Sequence, residues 1–336
     1  MIDSYLNLFI DGDYPKFIDK YLKTNTVNRL KHITQFCGCD YTKLYSPLFL
    51  YTRFDHSLVV AHMTWHFTHD KVQTIAALLH DVGTPCFAHC IDYVFGDYLN
   101  QESSEKDIGD IIKKDEELLS CLKEDDILLD KLINLEDFLI LENKSPQLCT
   151  DRLDWVLHTC YIWLHTHSLE QIRRVYDNIV ILANEKGIPE IGFKDLEVAE
   201  EFVSMVFIYA KELQGNRDKY VMKYISEIIK LAFSQKIIYL DDLYTKFENE
   251  IITILANNFS SWKYFSEATD LVRCEDKPNN FYISFDTKKR NVIPLVKNVD
   301  GIKRIIDVSD TAKKIYSEFE NYSDTKFAYI EDIFSL

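Results

Sequence analysis

Glycine and proline are scarce in this sequence, with nine and seven residues in 336. So few turn formers, beside abundant Leu, Ile, Lys and Glu, argue against a many-stranded sheet and for long helices. No apolar run approaches the roughly 18 residues that span a membrane as a helix, and the amino terminus, Met-Ile-Asp-Ser-Tyr, carries no secretory apolar region. The eight cysteines form no Cys-x-x-Cys pair. Cys37-Gly-Cys39 is too tight for a zinc knuckle, and Cys86 and Cys90 flank His89 without a second pair. These absences predict a reduced, cytoplasmic protein that does not enter a membrane. Positive charge is also short. Thirty-eight Lys and Arg face 54 Asp and Glu, a net charge of −16, which excludes a general nucleic-acid or anionic-membrane surface. A phosphorylated small molecule in a local pocket of cations stays compatible with that balance.

What is present is enough for a sizeable core, since 47% of residues are hydrophobic and 13% aromatic. The expected fold class is mainly α, in two parts. Residues 1–256 form a helical core with the helices of 1–24 packed on it, and 257–336 form a small C-terminal α+β lobe. Residues 26–36 space Val27, Leu30, Ile33 and Phe36 as one helical face. Residues 102–142 hold fourteen Asp and Glu against five Lys, read as the solvated side of two or three helices buried through Leu118, Leu119, Leu122, Leu128, Leu129, Leu132 and Leu135. Thr150 is the expected cap of a helix opening Asp151-Arg-Leu-Asp-Trp-Val-Leu. In the tail, Phe281–Phe285 and Asn291–Val296 flank a polar turn and predict a β-hairpin. Ser309 then caps a final amphipathic helix.

The stretch from Arg53 to Asp92 holds six of the ten histidines. Asp55 is the expected N-cap of a helix reaching about His69, with His56, Val59, Val60 and Met63 on one face. His62, His66 and His69 fall on another stripe, read as a polar outer face or as support. Val72, Ile75, Ala76 and Leu79 form a buried helical face that ends in His80 and Asp81, before Gly83 and Pro85 break it. A buried imidazole and carboxylate need partners. One divalent transition ion would satisfy both, held by His56, His80, Asp81 and a distant carboxylate. That nitrogen and oxygen set suits Mn, Fe, Ni or Zn, with Mg a poorer fit. Asp151, at a helix start, is the preferred fourth ligand and Asp154 the competing choice, with a surface salt bridge as its other reading. The other reading of the whole pair is a hydrogen-bonded core element. His89 and Asp92 share a face of the next helix at i and i+3.

Four segments together resemble a known family. They are Arg53-Phe-x-His56-Ser-Leu, then Ala76-x-Leu-x-His80-Asp81-Val-Gly-x-Pro-x-Phe-x-His89-x-x-Asp92, then Asp151-Arg-x-Asp154-Trp155, with Asn28-Arg-Leu-Lys-His-Ile-Thr-Gln-Phe36 ahead of them. Their order is similar to that of the HD-domain metal-dependent phosphohydrolases, closest to the deoxynucleoside-triphosphate triphosphohydrolase branch. Lys289-Arg-Asn-Val-Ile-Pro-Leu-Val, with Gly301 and Ser309, is fainter. The resemblance implies an HD-domain helical bundle. It makes His56, His80, Asp81 and Asp151 the metal ligands, His89 and Asp92 the catalytic pair, and Arg53 and Lys211 phosphate contacts, with a nucleotide as the phosphorylated partner. Metal would lower the pKa of water for attack on phosphorus, while a cationic His89 would act on the leaving oxygen.

Three positions depart from that branch. Thr84 stands where it carries a second histidine, Ser104-Glu105 is the nearest match to its His-Glu pair, and Lys211 replaces an arginine. The expected function is therefore hydrolysis of a phosphate ester or anhydride of a nucleotide. The alternative is a nucleotide-binding regulatory protein with reduced or no catalysis. Aromatic-rich surfaces hint at a homo-oligomer.

Overall fold

Helices carry most of the chain, as the scarcity of turn formers predicts. The computed structural model describes residues 2–10, 13–97, 99, 108–285, 287 and 289–336; Ser104 and Glu105 lie outside them. Two buried clusters meet along the helix Arg53–Thr68. Its Val59 and Met63 face the larger cluster, which runs from Tyr5 to Ile333, while Val60 and Ala61 face a smaller one built from Ile18, Leu30, Ile75 and the leucines of the acidic segment. Each fully buried Leu or Ile side chain there contributes about 1.5–3 kcal/mol. A helix pressed from two sides also buries its polar residues, and His56, Ser57, His62 and Thr64 are all buried.

That helix starts one turn earlier than the sequence suggests. Thr52, not Asp55, is its N-cap. The Thr52 side chain accepts the Asp55 amide N–H, and the Asp55 carboxylate accepts the Thr52 amide N–H at 2.9 Å. The helix ends at His69, whose φ is +50°. Asp70 caps the following helix, Lys71–Leu79, by accepting from the amides of Val72 and Gln73. Thr74 to Leu79 are all buried, so this helix is apolar all round at its C-terminal end.

Four other expectations need correction. Residues 26–36 do not form one helix. After Asn25–Arg29 and a tight turn at Leu30–His32 the chain extends, bridging Thr34 to Thr52: the backbone N–H of Gln35 donates to the Tyr51 carbonyl and that of Arg53 to the Ile33 carbonyl, and β-branched Ile33 and Thr34 favour the extended backbone. The acidic segment buries Leu118, Leu122 and Leu132 but leaves Leu128 69% exposed, since helix Glu116–Glu124 stops before it. Cys149 rather than Thr150 occupies the cap position of helix Thr150–His158. The tail hairpin does not form either.

Strands β1 (Ile179–Ala183), β2 (Pro189–Phe193), β5 (Leu295–Asn298) and β6 (Gly301–Arg304) make a four-stranded sheet in the order β1-β2-β5-β6. Strands β3 (Val272–Cys274), β4 (Tyr282–Ile283) and β7 (Phe327–Tyr329) make a second, in the order β3-β7-β4. The two arms of the expected hairpin thus enter different sheets. Tyr282 pairs with Tyr329, while Leu295 and Val296 pair in parallel with Gly192 and Phe193 and antiparallel with Arg304 and Lys303. The true hairpin turns at Val299-Asp300, where Gly301 takes a φ of +105°. The four-stranded sheet therefore takes two strands from either side of residue 256. Ser309 does cap the final helix, Asp310–Glu320, accepting the Ala312 amide at 2.9 Å. Among the described residues, no helix is long and apolar enough to cross a membrane.

Candidate metal centre and its cavity

Three helix ends converge on His56. His56 lies in the first turn of Arg53–Thr68, His80 and Asp81 follow the last turn of Lys71–Leu79, and Asp151 lies in the first turn of Thr150–His158. Nδ1 of His56 is 2.6 Å from Oδ2 of Asp154, and its Nε2 is 3.0 Å from Oδ1 of Asp151. A carboxylate only accepts, so a neutral His56 ring donates to one of the two and turns a lone pair on the other. The shorter contact assigns the proton to Nδ1 and leaves the Nε2 lone pair facing Asp151 unless the ring is charged. His80 repeats the arrangement. Its Nδ1 donates to the Ala77 carbonyl at 2.6 Å, and its Nε2, buried and without a hydrogen-bond partner, lies 3.6 Å from Asp151 and 3.9 Å from Oδ2 of Asp81. That Asp81 oxygen is 4.0 Å from Nε2 of His56.

Two imidazole lone pairs turned toward two carboxylates require a proton or a cation between them. The ligand atoms of His56, His80 and Asp151 lie within 4.8 Å of one another, so the cluster can hold a metal ion. Without a cation, protons take that role. Burial opposes charge on His56, but the hydrogen bonds and charges of Asp151 and Asp154 outweigh it and push its pKa up to about 10. His80 is raised as well, burial being overcome by Asp81 and Asp151. Burial works against ionised Asp81 too, yet Arg53, His80 and His56 hold it down to about 2.

The surroundings fix each of these groups. Buried Arg53 pairs with Oδ2 of Asp81 at 2.8 Å, and the hydroxyl of Thr84 donates to Oδ1 of Asp81 at 3.2 Å. Thr84 therefore serves as a support for Asp81. Asp154 is not a surface ion-pair partner. It is fully buried and accepts from Tyr5 (2.7 Å), Tyr51 (3.0 Å), His56 and His158 (3.3 Å). The second buried grouping of ligand types, His56 with Asp154 and His158, is thus a hydrogen-bonded brace that sets the His56 tautomer.

The centre opens on a cavity of about 530 Å³, whose wall includes Arg53, His80, Asp81, His89 and Asp151. His89 precedes the short helix Cys90–Phe95, with Nδ1 2.9 Å from Oδ2 of fully buried Asp92. The loop before it is held from outside. Phe87 and Ala88 take φ of +62° and +44°, and the buried carboxylate of Glu248 accepts the Phe87 amide at 2.6 Å. Lys211 does not line the cavity. It is exposed, its ammonium over the rings of Phe207 and Tyr322. Among the described residues, the Lys and Arg side chains on the wall besides Arg53 are Arg152, Lys289 and Arg290. Arg152 is anchored to Glu142 at 2.7 Å and to the Gln147 carbonyl at 2.9 Å.

No family model matches the chain. YdhJ of Bacillus subtilis, an uncharacterized protein, is 30% identical over 262 residues, which cover 73% of this chain and 71% of YdhJ. The chain belongs to the YdhJ family. MG461 of Mycoplasma genitalium, also uncharacterized, is 25% identical over 216 residues, covering 57% of this chain and 50% of MG461. Two crystal structures share the fold of this YdhJ-family chain. A phosphohydrolase, BT4208, of Bacteroides thetaiotaomicron superposes with a TM-score of 0.61 at 14% identity over 95% of each chain. A hypothetical protein from Aquifex aeolicus gives 0.56 at 16% identity over 92% of this chain and 90% of its own.

Several residues in and around this cavity carry no clear signal in sequence. Gln35 lines the cavity fully buried, and neither polar atom of its side-chain amide has a hydrogen-bond partner among the described residues. A glutamine between Ile33 and Phe36, two positions of the predicted buried face, was the available sign. Asp218 also lines the cavity, and burial, then Glu212, push its pKa up to about 7. His62 departs from the expected outer stripe. It is 2% exposed against the ring of Tyr14, and burial lowers its pKa to about 4. His69 does stay on the surface, beside Asp13.

Proposed function

We propose that this protein is a metal-dependent phosphohydrolase of the HD-domain type, cytoplasmic, which cleaves a phosphate ester or anhydride of a nucleotide. One observation carries the reading. The Nε2 atoms of His56 and His80 face Asp81 and Asp151 beside a cavity lined also by Arg53 and by His89, which Asp92 holds from behind. The shared fold with a phosphohydrolase supports it. In this reading His56, His80, Asp81 and Asp151 hold one divalent transition ion. Such an ion supplies Lewis acidity and a nucleophilic water at neutral pH.

The remaining roles belong to the chain itself. Arg53 places a positive charge beside Asp81, where phosphate oxygens would meet it. Asp92 holds Nδ1 of His89 and leaves Nε2 to hold the leaving oxygen or give it a proton. The amide of Gln35, donor and acceptor at once, suits a substrate hydroxyl. Among the described residues, Arg152, Lys289 and Arg290, rather than Lys211, are the additional cations on the wall.

The test is metal analysis of the purified protein with a screen of nucleotides and phosphomonoesters. About one ion per chain is expected, with metal and turnover both lost in Asp81→Ala and turnover alone lost in His89→Ala. Metal-replete protein that leaves the whole panel untouched would refute the hydrolase. The second reading, a nucleotide-binding regulator, is favoured by Thr84, which puts a hydroxyl bound to Asp81 where the resembling branch has an imidazole. Multiple turnover abolished by His89→Ala would exclude it.

A further inference from the structure

Resting on the hydrolase reading, we propose that Glu248 is a positioning residue, which from behind the cavity wall sets where His89 stands relative to the metal centre. Glu248 opens the helix Glu248–Asn258, is 1% exposed and does not line the cavity. Its two carboxylate oxygens are divided between two stretches of chain. Oε2 accepts the Phe87 amide N–H at 2.6 Å. Oε1 accepts the Tyr41 hydroxyl at 2.5 Å, the Thr34 hydroxyl at 2.8 Å and the Thr34 amide N–H at 3.3 Å. Both stretches lead to the cavity. Phe87 stands two residues before His89, and Thr34 lies in the extended segment whose Ile33 carbonyl accepts the Arg53 amide N–H. One buried side chain thus fixes the spacing between the turn that carries His89 and the segment tied to Arg53.

The turn needs such a hold. Phe87 and Ala88 take left-handed backbone angles without being glycine, a conformation that persists only where the surroundings impose it. The bonds inside the turn, from the Ala88 N–H to the Pro85 carbonyl at 3.1 Å and from the Cys90 N–H to the Phe87 carbonyl at 2.9 Å, travel with it and do not anchor it. The anchors come from elsewhere in the chain. Arg29 donates to the carbonyls of Thr84 (2.9 Å) and Leu243 (3.0 Å), the Cys86 N–H donates to Leu243 at 2.8 Å, and the Cys90 thiol lies 3.1 Å from the Cys37 carbonyl. Between these clamps the left-handed pair begins at Phe87, where a carboxylate is the acceptor that binds an amide most strongly. A buried N–H that loses its acceptor has no water to replace it, so the pair would relax toward ordinary angles and turn the chain at His89. Asp92 cannot correct that. It meets Nδ1 of His89 from three residues on, so it orients the ring within the turn and moves with the turn.

The test uses two substitutions in the full chain. Glu248→Met fills the same space without an acceptor. Glu248→Asp keeps the charge but draws it back by one methylene, too short to reach Phe87 and Thr34 together, and it decides the matter if the methionine variant does not fold. Turnover, metal content and the imidazole proton–nitrogen NMR signals are read with zinc present, the His89 signal being identified by its loss in His89→Ala. We expect each folded variant to hold metal as the wild type does and to shift the His89 signal while those of His56 and His80 stay. We expect kcat to fall about 100-fold with KM within about threefold, the scale of a misplacement near 1 Å. An unmoved His89 signal or an unchanged kcat in a folded variant overturns the proposal, and so does loss of metal or movement of the His56 and His80 signals, which mark a general disturbance. Wild-type turnover with kcat unchanged in Glu248→Asp would sink the positioning role and leave the hydrolase standing. A His89 signal that moves alone in a protein without turnover would do the reverse.

Discussion

Removing Asp154 tests whether the metal centre depends on the brace behind it. The Asp154 carboxylate is fully buried and carries three donors on Oδ2, from Tyr51, His56 and His158, and one on Oδ1, from Tyr5. Asp154→Ala leaves two phenol hydroxyls and two imidazole N–H groups without their acceptor in a space water does not reach. Breaking a buried charged network by deleting one partner costs about 3–5 kcal/mol, a large share of the roughly 5–15 kcal/mol that holds a typical domain together. The same change frees the His56 ring to rotate or shift its proton to Nε2, and loss of such a support lowers metal affinity about 10- to 100-fold. Asp154→Asn separates the two effects. Its carbonyl oxygen can take the crowded Oδ2 position and keep His56 in place, while its amino group faces Tyr5, whose hydroxyl can accept. Urea unfolding of metal-free protein and titration with Zn or Mn are the assays. A loss below about 1 kcal/mol in Asp154→Ala, against the cost expected for a buried network, would refute the reasoning. So would unchanged metal affinity in that variant.

Two further predictions concern the His56 proton and the packing of β2 against β5. In metal-free protein His56 has a folded-state pKa of about 10 against an ordinary value of 6.5. Its proton therefore stabilises the fold fully below pH 6.5, and that contribution is lost as pH rises toward 10. A metal ion must displace this proton, so uptake near neutral pH releases protons and tightens as pH rises. Calorimetry in buffers of different ionisation enthalpy measures the release, and uptake without it would contradict the geometry. In the four-stranded sheet, a Cβ on Gly192 would lie 2.7 Å from the carbonyl oxygen of Leu295 and from Leu182 Cδ1. Gly192→Ala should cost about 1–3 kcal/mol by overpacking, read from the denaturation midpoint. An unchanged midpoint would mean that β2 and β5 do not approach as described.

Much of the centre was legible in the chain because local rules govern where its residues sit. The apolar run from Val72 to Leu79 had to be a buried helix, and Gly83 and Pro85 had to end it just past His80 and Asp81. The spacing of His56 with Val59, Val60 and Met63 turned that ring inward. Asp151 at a helix start was one of two carboxylates that could meet them. The errors arose where partners lie far away in sequence. Helical spacing in residues 26–36 yielded to a bridge between Thr34 and Thr52, and two strand-like segments near 281–296 found β7 and β2 instead of each other. Lys211 had the right charge, but its helix turns it to Phe207 and Tyr322.

The sequence by itself determined the helical character of the chain, the end of the helix that delivers His80 and Asp81, and a short roster of imidazoles and carboxylates suited to a divalent ion. Periodicity and turn chemistry act over a few residues, so one chain suffices to read them. Only the tertiary structure gives Asp151 and Asp154 different surroundings. Both occupy the same helix, three residues apart. The direction of the His56 ring puts one carboxylate opposite His80 and seats the other among Tyr5, Tyr51 and His158. That difference depends on which side of helix Thr150–His158 meets helix Arg53–Thr68, and such packing is set by the sum of distant contacts.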